Sequence, residues 1–233
     1  MTRTALTRLV AVVVAGALTV AGCDSADARR VPGTAGTTVP SDVPAATTVA
    51  ARPRIVFLGD SLTAGYGIVK SEAVPALIQQ RLDAAGYRYE VVNAGVSGDT
   101  SAGGLSRLEW SLDGQVAVLV LELGANDGLR GLPVSQMKQN LTEIIRRTRQ
   151  RGITVILTGM EAPPNYGPAY TAEFRQAFRD LADEHHVIFM PFYLAGVAGH
   201  PDLNISDGMH PNAAGSRLIE QSVWRVLEPS LRK

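Results

Sequence analysis

The sequence predicts a three-layer α/β/α sandwich built on a five-stranded parallel, flavodoxin-like sheet. Three observations carry this expectation. Short β-branched runs alternate with longer amphipathic segments through residues 53–233, one of those runs is apolar at nearly every position, and glycines stand where the first strand and the first helix should stop. A strand apolar on both faces belongs in a parallel sheet covered by helices on either side. Helical crossovers keep successive strands parallel and fix their hand. The winding itself is taken by analogy with doubly wound sheets of the flavodoxin type.

The elements follow in order. Residues 54–58 form a short apolar run ending at Gly59, the first strand. Leu77, Ile78 and Leu82 recur at helical spacing within 74–84, and Gly86 stops that helix. Residues 89–93 supply a second strand and 102–111 a helix; 116–123 is the β-branched, buried third strand. A helix over 135–151, a strand over 154–158, a helix over 171–185, a strand over 187–190 and a final helix over about 212–227 complete the domain. Met137, Phe174, Phe178 and Trp224 fall at helical spacing and belong to the core. Arg146, Arg147, Arg149 and Arg151 make a solvated helix face.

Composition narrows the partners. The 233 residues are 45% hydrophobic and suffice for one sizeable core. Lys plus Arg equals Asp plus Glu at 22 each; removing Arg3 and Arg8 with the first 22 residues leaves 20 cations against 22 anions, about −2, which gives no electrostatic case for nucleic acid. The single cysteine, Cys23, excludes an internal disulfide framework, and no cysteine or histidine cluster suggests a metal site.

The N-terminal segment reads as processing. Arg3 and Arg8 precede an apolar run over residues 9–20, long enough for a signal-peptide core and short for a membrane span. It ends Val20-Ala21-Gly22-Cys23, which resembles a bacterial lipobox, so residues 1–22 are expected to be a lipoprotein signal peptide and Cys23 the lipidated residue. Residues 23–52, rich in Ala, Thr, Val, Pro and Gly without a period, read as a flexible tether, and 53–233 as the folded domain. The expected location is the extracytoplasmic side of a bacterial cell envelope, held by lipid.

Ligands of such sheets sit beyond the carboxyl ends of the strands. Ser61, Gly95 and Asn126 follow the first three strands, and Asp207 with His210 lies between the last strand and last helix, so all five fall on one rim. A serine hydroxyl needs a base, and imidazole is the usual one at neutral pH. Asp207, three residues before His210, can hold one ring nitrogen while the other faces Ser61. The Ser61 and Gly95 N–H groups and the Asn126 amide can converge on a developing oxyanion. Asp60 is assigned to the turn and the helix cap, and Asp127 to an Asx turn. Asp183 and His186 repeat the Asp-x-x-His spacing, but at a helix end on the opposite sheet edge; His200 ranks below His210 because Val197 stands at i−3.

The segments GDSLTAGYG, NAGVSGDTSAGGLSRL, LELGANDGLRGLP and DGMHPN resemble the consecutive blocks of the SGNH (GDSL) hydrolase family, and the resemblance spans roughly residues 54–227. It is nearest to the group of acyl-CoA thioesterases, lysophospholipases and arylesterases. The resemblance implies the SGNH hydrolase fold, a Ser61, Asp207, His210 triad, an oxyanion hole from Ser61, Gly95 and Asn126, and no metal or organic cofactor. It also implies that Pro164, Asn165 and Tyr166 form a substrate-side loop. The expected activity is cleavage of small carboxylic esters and thioesters, lipid esters included, through an acyl-serine intermediate. Carbohydrate or peptidoglycan O-acetyl esterase activity, and an inactive ligand-binding envelope lipoprotein, stay open as alternatives. The sequence sets no oligomeric state.

Overall fold

The computed structural model describes residues 52–233. The expected signal peptide, Cys23 and the tether up to residue 51 lie outside the described residues. In chain order the elements are β1 (Arg54–Gly59), α1 (Ser61–Ala64), α2 (Val74–Ala84), β2 (Glu90–Gly95), α3 (Ser101–Ser106), α4 (Leu108–Ser111), β3 (Val116–Glu122), α5 (Ala125–Leu129), α6 (Val134–Gln150), β4 (Thr154–Thr158), α7 (Gly167–His185), β5 (Ile188–Met190) and α8 (Ala213–Leu227).

All four strand pairings are parallel, and the sheet order is β2-β1-β3-β4-β5, the flavodoxin-like order expected from the sequence. The winding reverses between β2 and β3, which opens a crevice at the carboxyl ends of β1 and β3. Central position explains composition: Ile55, Val56, Phe57 and Leu58 of β1 and Leu119, Val120 and Leu121 of β3 are wholly buried. Each such side chain contributes roughly 1.5–3 kcal/mol relative to exposure. α2 packs with α8, and α6 packs with α3 and α7. Among the described residues no helix is long and apolar enough to cross a membrane.

Register positions the site. Gly59 at the end of β1 stands beside Gly95 of β2 and Glu122 of β3, so three loops leave the sheet at one level. Arg107 ties that level together. Its Nη2 donates to Gly59 O at 2.8 Å, its Nη1 to Ala94 O at 2.7 Å, and its Nε to Asp99 Oδ2 at 2.6 Å. This residue also corrects the helix expected over 102–111, which is two short helices, α3 and α4, interrupted at Arg107 with φ −108° and ψ 9°. The break turns the guanidinium toward the strand ends, a long-range contact that local spacing does not encode. α1 and α5, four and five residues long, are additions to the expected elements. Asp183 and His186 sit at the exposed end of α7, where His186 takes a left-handed φ of 47° just before β5.

Candidate active site

Ser61 is the first residue of α1, immediately beyond β1. Asp60 caps this short helix, its Oδ1 accepting from Leu62 N at 3.0 Å, and Gly65 ends it with φ 77°. The turn points the serine into a cavity of about 960 Å³ at the carboxyl edge of the sheet, a size that suits a small ligand. Its walls are mostly apolar, with Leu62, Leu129, Met160, Phe192, Leu194 and Met209 among them.

His210 arrives from the loop before α8. Its Nε2 lies 2.8 Å from Ser61 Oγ and its Nδ1 2.6 Å from Asp207 Oδ2. Asp207 Oδ1 also accepts from the N–H groups of His210 at 3.0 Å and Met209 at 2.9 Å. These two backbone donors, then the imidazole, hold the Asp207 carboxyl down at about 2. An ionised carboxylate only accepts, so Nδ1 carries the proton and Nε2 is left to accept from the serine hydroxyl. The loop is anchored on either side of the pair: Ile205 N donates to His210 O at 2.8 Å, and Asn212 caps α8 through Ala214 N and Gly215 N. Tyr66 covers the imidazole, ring centroids 4.7 Å apart and tilted by 43°.

Of the residues expected to offer oxyanion donors, Gly95 is the one whose backbone N–H is already engaged. Gly95 N–H donates to Asn93 Oδ1 at 3.0 Å, and Gly95 is absent from the cavity wall. It is glycine for packing: a Cβ there would lie 2.3 Å from Ala64 N, in the turn that carries Ser61. Gly98, three residues on, lines the cavity with φ 85°. Neither its N–H nor that of Ser61 has an acceptor among the described residues. Gly95 ends β2 and Gly98 follows in the loop after it; the Cβ clash at the first and the free N–H at the second separate a packing position from one open to the cavity.

Asn126, on α5, lines the same cavity. Its Nδ2 donates to Asp60 Oδ2 at 3.0 Å and to Asp99 O at 2.9 Å. Asp127 does more than close an Asx turn: it is buried and accepts from Ser101 N at 2.8 Å and Ser101 Oγ at 2.6 Å, clamping the start of α3 to α5. Pro164, Asn165 and Tyr166 form a short 3-10 turn beside the cavity, whose wall is made instead by the preceding Glu161, Ala162 and Pro163. Tyr166 reaches it indirectly, through Oη donating to Leu129 O at 2.8 Å.

Beneath the serine turn lies an acidic group that the sequence reading passed over. Glu122, the last residue of β3, is wholly buried; its Oε2 accepts from Thr63 Oγ1 at 2.8 Å and Asp60 N at 3.3 Å, and its Oε1 has no partner. Burial, then the neighbouring Asp60 charge, pushes its carboxyl well above the ordinary range and so disfavours its ionised form. Burial likewise pushes Asp60 up to about 6, against the opposing hydrogen bonds from Leu62 and Asn126. Within an apolar run, one acid at a strand end looks like the first polar residue of a loop, and only its burial distinguishes it.

Residues 57–218 match the GDSL-like Lipase/Acylhydrolase family. The chain belongs to that family. This GDSL hydrolase is 42% identical to esterase TesA of Pseudomonas aeruginosa over 183 residues, 78% of this chain and 91% of that protein. It is 36% identical to the thioesterase 1/protease 1/lysophospholipase L1 of Escherichia coli K12 over 181 residues, 77% of this chain and 86% of that one. A crystal structure of TesA superposes with a TM-score of 0.74 at 42% identity, covering 76% of this chain and 99% of that chain. The family, the α/β fold and the ester-hydrolase class are those the sequence blocks imply. Among the described residues no cluster of three His, Cys, Asp or Glu side chains is placed to hold a metal ion.

Proposed function

We propose that this GDSL hydrolase cleaves carboxylic esters and thioesters of apolar acyl groups through an acyl-Ser61 intermediate. The observation that carries the reading is the unbroken relay from Ser61 Oγ to His210 Nε2 at 2.8 Å and from His210 Nδ1 to Asp207 Oδ2 at 2.6 Å. As Ser61 Oγ attacks the acyl carbon, its proton passes to Nε2, and the ionised Asp207 stabilises the imidazolium. The oxyanion is met by the N–H groups of Ser61 and Gly98, with the Asn126 amide at its side. Nε2 returns the proton to the departing alcohol or thiol. Water, activated by the same nitrogen, then releases the acid. The apolar walls favour an acyl chain over a sugar, which makes lipid esters and thioesters better substrates than carbohydrate acetates.

The N-terminal pattern supports placing the enzyme at the extracytoplasmic face of a bacterial envelope, anchored through lipid on Cys23. Incorporation of labelled palmitate that survives Cys23→Ser would contradict the anchor. For the chemistry, p-nitrophenyl butyrate should give a burst of p-nitrophenol and a fluorophosphonate probe should label the protein, both lost in Ser61→Ala. Equal turnover by the two proteins would end the proposal.

A further inference from the structure

Asp60 has a second contact that capping does not require. One oxygen, Oδ1, receives Leu62 N and so closes the turn carrying Ser61; the other, Oδ2, receives the Asn126 Nδ2. Only a carboxylate can do both. An amide in its place would turn an NH2 against one of two donors, whereas an ionised carboxyl accepts at both oxygens. The side chain is 1% exposed, so neither contact is shared with bulk water.

We propose that Asp60, while ionised, is a positioning residue that clasps the nucleophile turn to the Asn126 amide, and that protonation of Asp60 releases the amide. The inference rests on the reading of Asn126 as a wall of the oxyanion side, its amide held there by two acceptors. Asn126 gives one Nδ2 hydrogen to Asp99 O and the other to Asp60, so its orientation is set by these two acceptors from two segments. A proton on Oδ2 would face the amide nitrogen hydrogen to hydrogen, and the amide would lose one of its two guides.

The groups facing Asp60 come from every element around it. Glu122 on β3 supplies Oε2 to the Asp60 N–H at 3.3 Å, and burial beside Asp60 disfavours its ionised form. Asp99, before α3, opposes ionisation, with its own charge matched by Arg107. His210 favours ionisation from the loop before α8, and Tyr193, wholly buried after β5, lies close enough to Glu122 and Asp60 that, after burial, their charges push its own phenol up. Thr63 of α1 keeps its hydroxyl on Glu122 and leaves Asp60 to Leu62 and Asn126.

The direct test reads the clasp without turnover. The side-chain amide signal of Asn126, identified by its loss in Asn126→Ala, is followed by NMR from pH 4.5 to 8. It should move with a midpoint near the Asp60 value of about 6, keep that movement in His210→Ala, and stand still in Asp60→Asn. A flat Asn126 signal in the wild-type protein, or a movement abolished by His210→Ala, overturns the proposal even if Asp60→Asn does not fold.

Kinetics supply a second arm on any hydrolysed p-nitrophenyl ester. Asp60→Asn should lower kcat about 10- to 100-fold with KM within about twofold, a smaller loss than removing an oxyanion donor outright. The acid limb of log kcat should steepen toward slope two in the wild type, where imidazole and Asp60 must both be deprotonated, and return to one in the variant. A variant with wild-type kcat, or one that raises KM alone, counts against the clasp. Because the NMR arm needs no substrate, its failure is separable from failure of the hydrolase reading, which Ser61→Ala tests.

Discussion

Two glycines three residues apart illustrate how a single atom decides between folding and chemistry. At Gly95 an added Cβ meets the backbone of Ala64 at 2.3 Å and of Thr63 at 2.8 Å, which no rotamer change can relieve. At Gly98 the nearest heavy atom is Arg130 Nη2 at 3.8 Å, and only the φ of 85° resists a side chain, at roughly 1–2 kcal/mol. Gly95→Ala should therefore lower Tm by roughly 2–12 °C, since overpacking costs about 1–3 kcal/mol and each kcal/mol is about 2–4 °C in a protein of this size. Gly98→Ala should keep most of its Tm and lose about 10- to 100-fold in kcat as its N–H is displaced. Thermal melts and steady-state kinetics on the two proteins check the contrast, and the reverse pattern would return the donor to Gly95. The sequence made the pairing of Ser61 with Asp207 and His210 legible because each follows a strand end, whereas the choice between these glycines depends on the close approach of α1 to Gly95, which no spacing reports.

At the scale of elements, the strands were readable because burial on both faces demands β-branched runs, and β1 and β3 carry such runs. The helix over 135–151 was equally plain, since Met137, Leu141, Ile144 and Ile145 face the core at regular spacing and are all wholly buried in α6. Short functional helices escape this logic. α5 has five residues and no stripe, and it exists because Gly124 adopts φ 114° and lets the chain press against α6 and α7. A Cβ at Gly124 would sit 2.9 Å from Phe178 Cζ and 3.0 Å from Met137 Sδ. Gly124→Ala should push α5, and with it Asn126, out of line, so we expect kcat to fall at least tenfold together with a loss of about 1–3 kcal/mol in urea unfolding. Full activity with reduced stability would show that Asn126 tolerates the shift.

For the whole molecule, the site carries a cost that depends on pH. Burial raises the Glu122 carboxyl well above its ordinary value of 4.5, so above that pH the folded state tends to hold a proton that the unfolded chain has released. The sign follows: from this group stability falls as pH rises, by up to about 1.4 kcal/mol per pH unit. Asp60 acts in the same direction between 3.8 and about 6. Asp207 acts oppositely, its contribution being present above 3.8 and lost as pH falls toward about 2. Glu122→Gln removes one of these links, so its Tm relative to the wild-type protein should climb steadily from pH 4.5 to 8, as read by calorimetry. Parallel curves would mean that Glu122 is ionised in the fold.

The guanidinium at position 107 has a mechanical meaning at this scale. By gripping the last carbonyl of β1, the carbonyl of Ala94 near the end of β2 and the Asp99 side chain in the loop that follows, it fixes the spacing between the turn of Ser61 and the loop of Gly98. A lysine there could hold one of those three points but not all, having no planar fork. Warming an Arg107→Lys protein should thus blunt catalysis while circular dichroism still reports an intact sheet, the jaws slackening before the frame gives way.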